Sequence, residues 1–377
     1  MQHERSVGGL NPTVGILTVR ENGRILGNLP LFRAIMKVAE EYGGIAVLFT
    51  PSDIDWKNEW VNGYIAQPQT GRKRTERRLF PMFDVVYNRI PNREWEKTSF
   101  VQETLTRLRS RYGRRFFNPS FFDKGEIYAR INSSPIRSHL PLTEPLHSKE
   151  SLSKMLKLSL PLYLKPADGR AGDGIIYLEP VRGEEGEETI RIRSTDTGKE
   201  RTVSSAMIWE ILSPSIHHRS YLIQQAIPRL TFAGRPFDLR VLVQKGGEGR
   251  WAVTGVGARL AGPERITTHI PQGGSRLSPE EAFSLTMTRE ERRRKYREIE
   301  EVALGIARVI DAGYDQSLGE MSMDLGLSPE GKLWFFEANA KPMKFDEPSI
   351  HRRSLIRRMQ YFQYLSNLSP SKSFILQ

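Results

Sequence analysis

The stretch Trp334-Phe335-Phe336-Glu337-Ala338-Asn339-Ala340-Lys341-Pro342 decides how this chain reads. An apolar run gives way to a carboxylate and, two positions on, an amide. Residues two apart on a strand face the same side, so Glu337 and Asn339 present oxygen to one face. Upstream, Met323-Asp324-Leu325-Gly326 is a second apolar run interrupted by an acid. Asp324, Glu337 and Asn339 together suit a hard cation such as Mg2+, which takes oxygen ligands and is usually bound with phosphates. The alternative is exposed acids on edge strands. The flanking apolar residues argue against it, because burying unpaired carboxylates is costly and a cation removes that cost.

A third segment completes the pattern: Tyr163-Leu164-Lys165-Pro166-Ala167-Asp168-Gly169-Arg170-Ala171-Gly172-Asp173-Gly174-Ile175. A strand ends in a lysine and opens into a loop with Gly169, Gly172 and Gly174. Such a loop lets backbone N–H groups approach phosphate oxygens. A buried strand-end lysine is rare unless paired, so Lys165 is expected to meet an anion, either a phosphate or a structural carboxylate. No Gly-Lys-Ser/Thr follows, so this is not a Walker A loop. A plain β-turn is the simpler reading of the glycines, but the flanking motifs favour a nucleoside triphosphate held between loop and metal.

Composition sets the bounds. The chain has 377 residues, enough for two or three domains, with 38% hydrophobic and 27% charged residues. Its formal net charge of +12 suits an acidic partner. The charge is scattered and the longest basic run is Arg292-Arg293-Arg294-Lys295, which argues against nucleic acid. With no cysteine, disulfides, thiolate chemistry and cysteine-ligated metals are excluded. No apolar run is long enough for a membrane span and Met1–Arg5 carries no secretory signal, so the expected location is cytoplasmic.

Along the chain, Val14–Val19, the Pro30-led helix and Ile45–Thr50 form a β-α-β unit that implies a parallel sheet. Phe83–Arg89 is a further strand, leaving Asn88 and Arg89 where ligands of open α/β sheets sit; a plain surface position is the alternative for Arg89. The predicted organisation is an N-terminal α/β domain over 12–118 and a linker over 119–150. A central subdomain over 151–230 carries the glycine loop, with an exposed hairpin over Glu184–Lys199. A C-terminal subdomain over 231–350 carries the metal set, with a long helix over 288–310. A basic tail, a short helix and then disorder, fills 351–377. In the C-terminal subdomain, Asp238 and Arg240 share a face by period-two spacing; a cross-strand salt bridge is the alternative.

These motifs, in this order, resemble the ATP-grasp superfamily over residues 12–350. The likeness is to the YheC/YheD group of spore-coat-associated proteins and, more distantly, to glutathione synthetase and RimK-type ligases. The resemblance implies an ATP-grasp fold of α/β and α+β class, with ATP and Mg2+ clamped between two subdomains. It implies that Lys124 reaches the nucleotide phosphates, although an ordinary surface lysine fits as well. It gives Lys165, Gly169, Gly172 and Gly174 to the phosphates. Gln224, Gln225 and Ile227 fall on the hinge that contacts adenine and ribose, but Gln225 stands where a Glu is common. Asp238 joins the nucleotide site, and Arg240 and Arg259 face the ATP phosphates or the acyl phosphate. After Arg259 the loop reads Thr268-His269-Ile270-Pro271-Gln272-Gly273-Gly274, where His269 is expected to be structural. Lys341 and Met343 depart from the Ser-Pro-Gly ending of ligases, which touches the acceptor pocket rather than the ATP site.

The implied activity is ligation of a carboxylate to an amine through an acyl phosphate. The acceptor is unnamed, with an acidic peptide favoured by the charge and Arg89 a candidate contact. The implied setting is the cytoplasm, forespore or coat of a spore former, with coat proteins as partners. The rival readings are a spore structural protein that keeps the fold without ligase activity, and a basic nucleic-acid binder, whose binding would depend steeply on salt.

Overall fold

The computed structural model describes residues 12–66, 75–167, 174–182, 187–195, 198, 200–216, 219–262 and 274–368. Its N-terminal domain is built on a seven-stranded sheet. The apolar run Thr13–Leu17 is its central strand, flanked in parallel by Ile45–Phe49 and Val85–Asn88, with Phe116–Phe117 beyond. The sheet is mixed rather than purely parallel. The hairpin Trp60–Ala66/Thr75–Pro81 adds antiparallel strands beside Ile45–Phe49, and a two-residue strand caps that edge. Helix Leu29–Glu41 crosses between the first two main strands. Asn28 caps it by accepting from the Leu31 N–H, and Leu31, Phe32, Ile35 and Met36 form its buried stripe.

Two six-stranded sheets, joined through antiparallel pairs, come next. The central one has Thr143–Leu146 and Tyr221–Gln225 beside Leu162–Pro166, then a meander of Ile176–Arg182, Glu188–Ser194 and Glu200–Ser204. The hairpin expected over Glu184–Lys199 falls across this meander, with strand Glu188–Ser194 at its middle; residues 183–186, 196, 197 and 199 lie outside the described ones. The C-terminal sheet orders Ser275–Leu277, Trp251–Leu260, Arg235–Lys245, Glu320–Leu327 and Leu333–Asn339. Helix Arg289–Asp311 covers one face, burying Ile299, Val302, Ile306 and Ile310 against Leu239, Val241, Met323 and Phe335.

Two segments differ from the sequence expectation. Within 119–150, Asp123 caps a helix, Lys124–Asn132, whose Ile127, Tyr128 and Ile131 join the core of the C-terminal sheet. Their i, i+1, i+4 spacing gives that helix an apolar face, and a free linker would leave it in water. The expected basic tail forms helix Pro348–Ser366. Its Leu355, Met359, Phe362 and Leu365 pack with Val14, Ile16, Leu31 and Phe32 in the N-terminal core. The arginines at 352 and 353 are exposed and that at 357 half-buried, and these charges concealed the pattern.

That helix, the N-terminal sheet and the C-terminal sheet meet at Glu320, a fully buried acid. Its carboxylate accepts from Arg358 Nε at 2.7 Å, Gln244 Nε2 at 2.9 Å and the Tyr87 hydroxyl, and pairs with Arg89 at 3.5 Å.

Candidate active site

Antiparallel register builds the site. Arg240 lies opposite Asp324, and Asp324 opposite Glu337, so one transverse row crosses three strands. Side chains directly opposite in a sheet share a face, so the row faces away from the core and toward the central sheet. The next row along places Ser322 opposite Asn339. A register shift between Asp324 and Leu325 lets both acids keep this face.

Charges within the row are mutually arranged. Arg240 Nη1 stands 3.8 Å from Asp324 Oδ1, with Nη2 donating to Ser322 Oγ at 3.4 Å. Asn339 Nδ2 donates to Glu337 Oε1 at 3.3 Å. Burial pushes the Asp324 carboxyl up to about 7; Arg240 opposes the shift and the neighbouring Glu337 adds to it. Two carboxylates side by side, one held reluctant to ionise, are what a divalent cation would relieve. Oxygen donors from Asp324, Glu337 and Asn339 fit Mg2+. Among the described residues no three His, Cys, Asp or Glu cluster as metal ligands, so a third oxygen donor beside the two acids would come from the Asn339 amide.

The central sheet faces this row with Lys165. On Leu162–Pro166 the apolar Leu162 and Leu164 turn into the core, and alternation turns Tyr163 and Lys165 into the cleft. Lys165 Nζ donates to Gln224 Oε1 at 2.5 Å and lies 5.6 Å from the centre of the Phe336 ring, reaching the opposite sheet. Burial lowers its pKa to about 8, against the pull of Glu337. Lys124, at the first turn of its helix, comes from the side to 3.4 Å from Glu337 Oε2. Gly174 has φ +69°, the left-handed region where a side chain is strained, and a Cβ there would sit 3.0 Å from Pro166. Gly169 and Gly172 lie outside the described residues, as does the loop 263–273 with His269.

Other expected residues take different places. Gln224 is buried and joins the two sheets: besides Lys165 it bonds Thr143 Oγ1 at 3.0 Å and the Tyr128 hydroxyl, which donates to the Phe336 carbonyl. Gln225 meets the Leu142 N–H at 3.4 Å, and Ile227 is buried beside it. Asp238 does not pair with Arg240. It receives Arg229 Nη1 at 3.1 and 3.0 Å from its two oxygens. Arg259 is taken up by Glu347 at 3.3 Å and Asp346 at 3.8 Å. Arg89, expected to face the cleft, is buried in the Glu320 cluster and donates to the Pro342 carbonyl at 3.2 Å. Asn88 and Arg89 do mark the C-terminal end of a parallel strand, but the C-terminal sheet covers that end. Tyr128 and Arg229 were missed. Tyr128 was findable as the residue one turn beyond Lys124 on an amphipathic helix; Arg229 carried no signal.

A family model described as YheC/D like ATP-grasp matches residues 113–365. The endospore coat-associated protein YheD of Bacillus subtilis (strain 168) is 28% identical over 376 residues, spanning 97% of this chain and 81% of YheD. The endospore coat-associated protein YheC of the same organism is 20% identical over 312 residues, spanning 82% and 83%. Among solved structures, D-alanyl-alanine synthetase A from Vibrio cholerae O1 biovar eltor superposes with a TM-score of 0.52 at 11% identity, covering 95% of this chain and 98% of that one, a likeness of fold. With the model matching well over half of its length, the chain belongs to the YheC/D-like ATP-grasp family.

Proposed function

We propose that this protein binds ATP and Mg2+ between its central and C-terminal sheets and uses them as a carboxylate–amine ligase associated with sporulation. The observation that carries the reading is the convergence of Lys124 and Lys165 on the Arg240–Asp324–Glu337 row. Cations from two other elements meet a carboxylate pair there, which is the charge layout a metal–triphosphate complex needs.

In the reaction, the terminal phosphoryl group of ATP passes to an acceptor carboxylate oxygen and ADP leaves. An amine then attacks the acyl carbon, phosphate leaves with the bonding electrons, and the amine gives up a proton. No side-chain nucleophile is needed; catalysis is positioning and charge stabilisation. Asp324, Glu337 and Asn339 would hold Mg2+, which would supply neutralising charge for the phosphates when bound. Lys165 and Lys124 hold phosphate oxygens, with Gln224 fixing the Lys165 ammonium. Arg240 faces the transferred group. Arg259 acts at one remove, holding Asp346 and Glu347 so that Phe345 stays beneath the Arg240 guanidinium at 5.9 Å. Asp238 and Arg229 form an ion pair beside Lys165 in the cleft.

The acceptor remains a class: a carboxylate with an amine partner, with the +12 charge favouring an acidic peptide by steering. Among the described residues no helix is long and apolar enough to cross a membrane. The names of YheD and YheC suggest an endospore-coat setting. They also favour a second reading, a coat protein that keeps the nucleotide fold as a scaffold. Measuring ADP release against amino acids, peptides and polyanions separates the two. Turnover stimulated by an acceptor and abolished in Glu337→Gln supports the ligase. Mg2+–ATP binding with no acceptor-stimulated turnover supports the scaffold.

A further inference from the structure

The proposed metal donors sit in a mechanically weak place. Among the described residues, Leu333–Asn339 is an edge strand paired only with Glu320–Leu327, and Ser322 opposite Asn339 is its last pair. Strand ends on a sheet edge open most easily, yet a cation site tolerates little movement of its ligands. The donors therefore depend on how the chain is held just beyond Asn339.

There the chain is pinned at three successive residues by the N-terminal domain. Asn118 Nδ2 donates to the Ala340 carbonyl, and Arg89 Nη2 to the Pro342 carbonyl at 3.2 Å. Between them Lys341, only 8% exposed, spends all three ammonium hydrogens: on Glu96, on Asn88 Oδ1 at 3.1 Å and on the Ile90 carbonyl at 3.2 Å. The ammonium also lies 4.4 Å from the centre of the Phe121 ring. Glu96 is fixed in turn, accepting from Asn88 Nδ2 at 3.1 Å and the Phe121 N–H at 3.1 Å. A buried ion pair adds little net stability over an apolar pair of the same volume, but its geometry is strict.

We propose that Lys341 and Glu96 are positioning residues that hold the Glu337–Asn339 donors at the spacing a divalent cation needs, by tying the strand exit to the N-terminal domain. The inference rests on the reading of Asp324, Glu337 and Asn339 as cation ligands. It adds that the N-terminal domain and the donor strand move as one body.

The test uses Lys341→Met, which strands the Glu96 carboxylate, alongside the charge-free pair Lys341→Met/Glu96→Gln, which keeps the packing. Two quantities are read in the full chain: Mn2+ affinity by electron paramagnetic resonance with a non-hydrolysable ATP analogue, and hydrogen exchange of amides 336–341. The double variant should fold, weaken Mn2+ by about tenfold, the low end of what loss of a group directly bonded to a ligand costs, and exchange faster at 336–341. Analogue binding without metal should stay within about twofold of the parent, since such positioning acts through the ligand geometry. Unchanged Mn2+ affinity together with unchanged exchange overturns the proposal. A parent that binds no Mn2+ sinks the functional reading instead; faster exchange in the double variant then still supports the tie, and unchanged exchange overturns it.

Discussion

The Glu320 junction and the Lys165 cleft are both rich in charge, and they handle it in opposite ways. At the junction Glu320, Arg358 and Arg89 are each at most 5% exposed, and hydrogen bonds from Tyr87 and Gln244 complete the carboxylate. In the cleft the side chains of Lys124, Glu337 and Arg240 keep 19%, 24% and 20% of their surface, and the ion pairs Lys124–Glu337 and Arg240–Asp324 are long, at 3.4 and 3.8 Å. A closed network fixes two domains; an open one with long spacings is the arrangement the proposed ionic ligand would complete. The state of the charges, more than their number, separates a structural cluster from a site.

The largest expected effect comes from opening the closed network. Glu320→Ala strands Arg89 and Arg358 in the interior and should cost about 3–5 kcal/mol in denaturant unfolding, the penalty for removing one partner of a buried pair. Arg89→Ala should also act on stability, and not on an acceptor KM. Lys165→Ala should leave unfolding within about 1 kcal/mol of the parent, as expected away from a closed network. Equal losses for Glu320→Ala and Lys165→Ala would erase the contrast.

Lys165→Ala should instead weaken ATP binding by about 1.5–3 kcal/mol, the worth of a charge-assisted hydrogen bond. Titration calorimetry in the presence of Mg2+ measures this, and an unchanged affinity removes Lys165 from the phosphates.

A pH series sharpens the comparison further. The folded pKa of Asp324, about 7, lies above its ordinary value of 3.8. Between these values the unfolded chain releases the proton while the metal-free fold keeps it. Stability contributed by the protonated acid is therefore lost as pH rises through that window, and fully so above about 7. Asp324→Asn should be more stable than the metal-free parent at pH 8 by about 1–3 kcal/mol, and alike at pH 4. Mg2+ should close the gap at pH 8 by stabilising the parent alone. A gap that is constant with pH contradicts a burial-raised Asp324 carboxyl.

The smallest effect belongs to the exposed pairs. Lys154, whose side chain is 69% exposed, bonds Glu144 at 2.5 Å on the outside of the central sheet. Lys154→Ala should shift unfolding by less than about 0.5 kcal/mol, the usual worth of a surface ion pair.

Sequence periodicity made the candidate site legible because strands alternate. Glu337 and Asn339 had to share a face wherever the strand lay, and Lys165 had to point opposite Leu164. The same rule located the parallel strands of the N-terminal sheet. It gave no partner for Arg259 or Asp238, since the acids and arginine they meet lie in loops whose approach no local pattern encodes. It also read 119–150 and 351–377 as peripheral. In both, basic residues outweighed the apolar stripe of a helix.

The amino-acid sequence by itself determined which residue types stand in which order: a lysine before a glycine loop, then an arginine strand, then an acid and an acid–amide pair. Local chemistry is sufficient for that, because spacing along a strand fixes facing. Tertiary structure alone decided which charges are spent. Arg89, Lys341 and Arg358 look no different in sequence from Lys124 and Lys165. Only packing of the last helix and the donor strand against the N-terminal domain removes the first three from water and closes their hydrogen bonds, while the cleft keeps the other two within reach of a ligand.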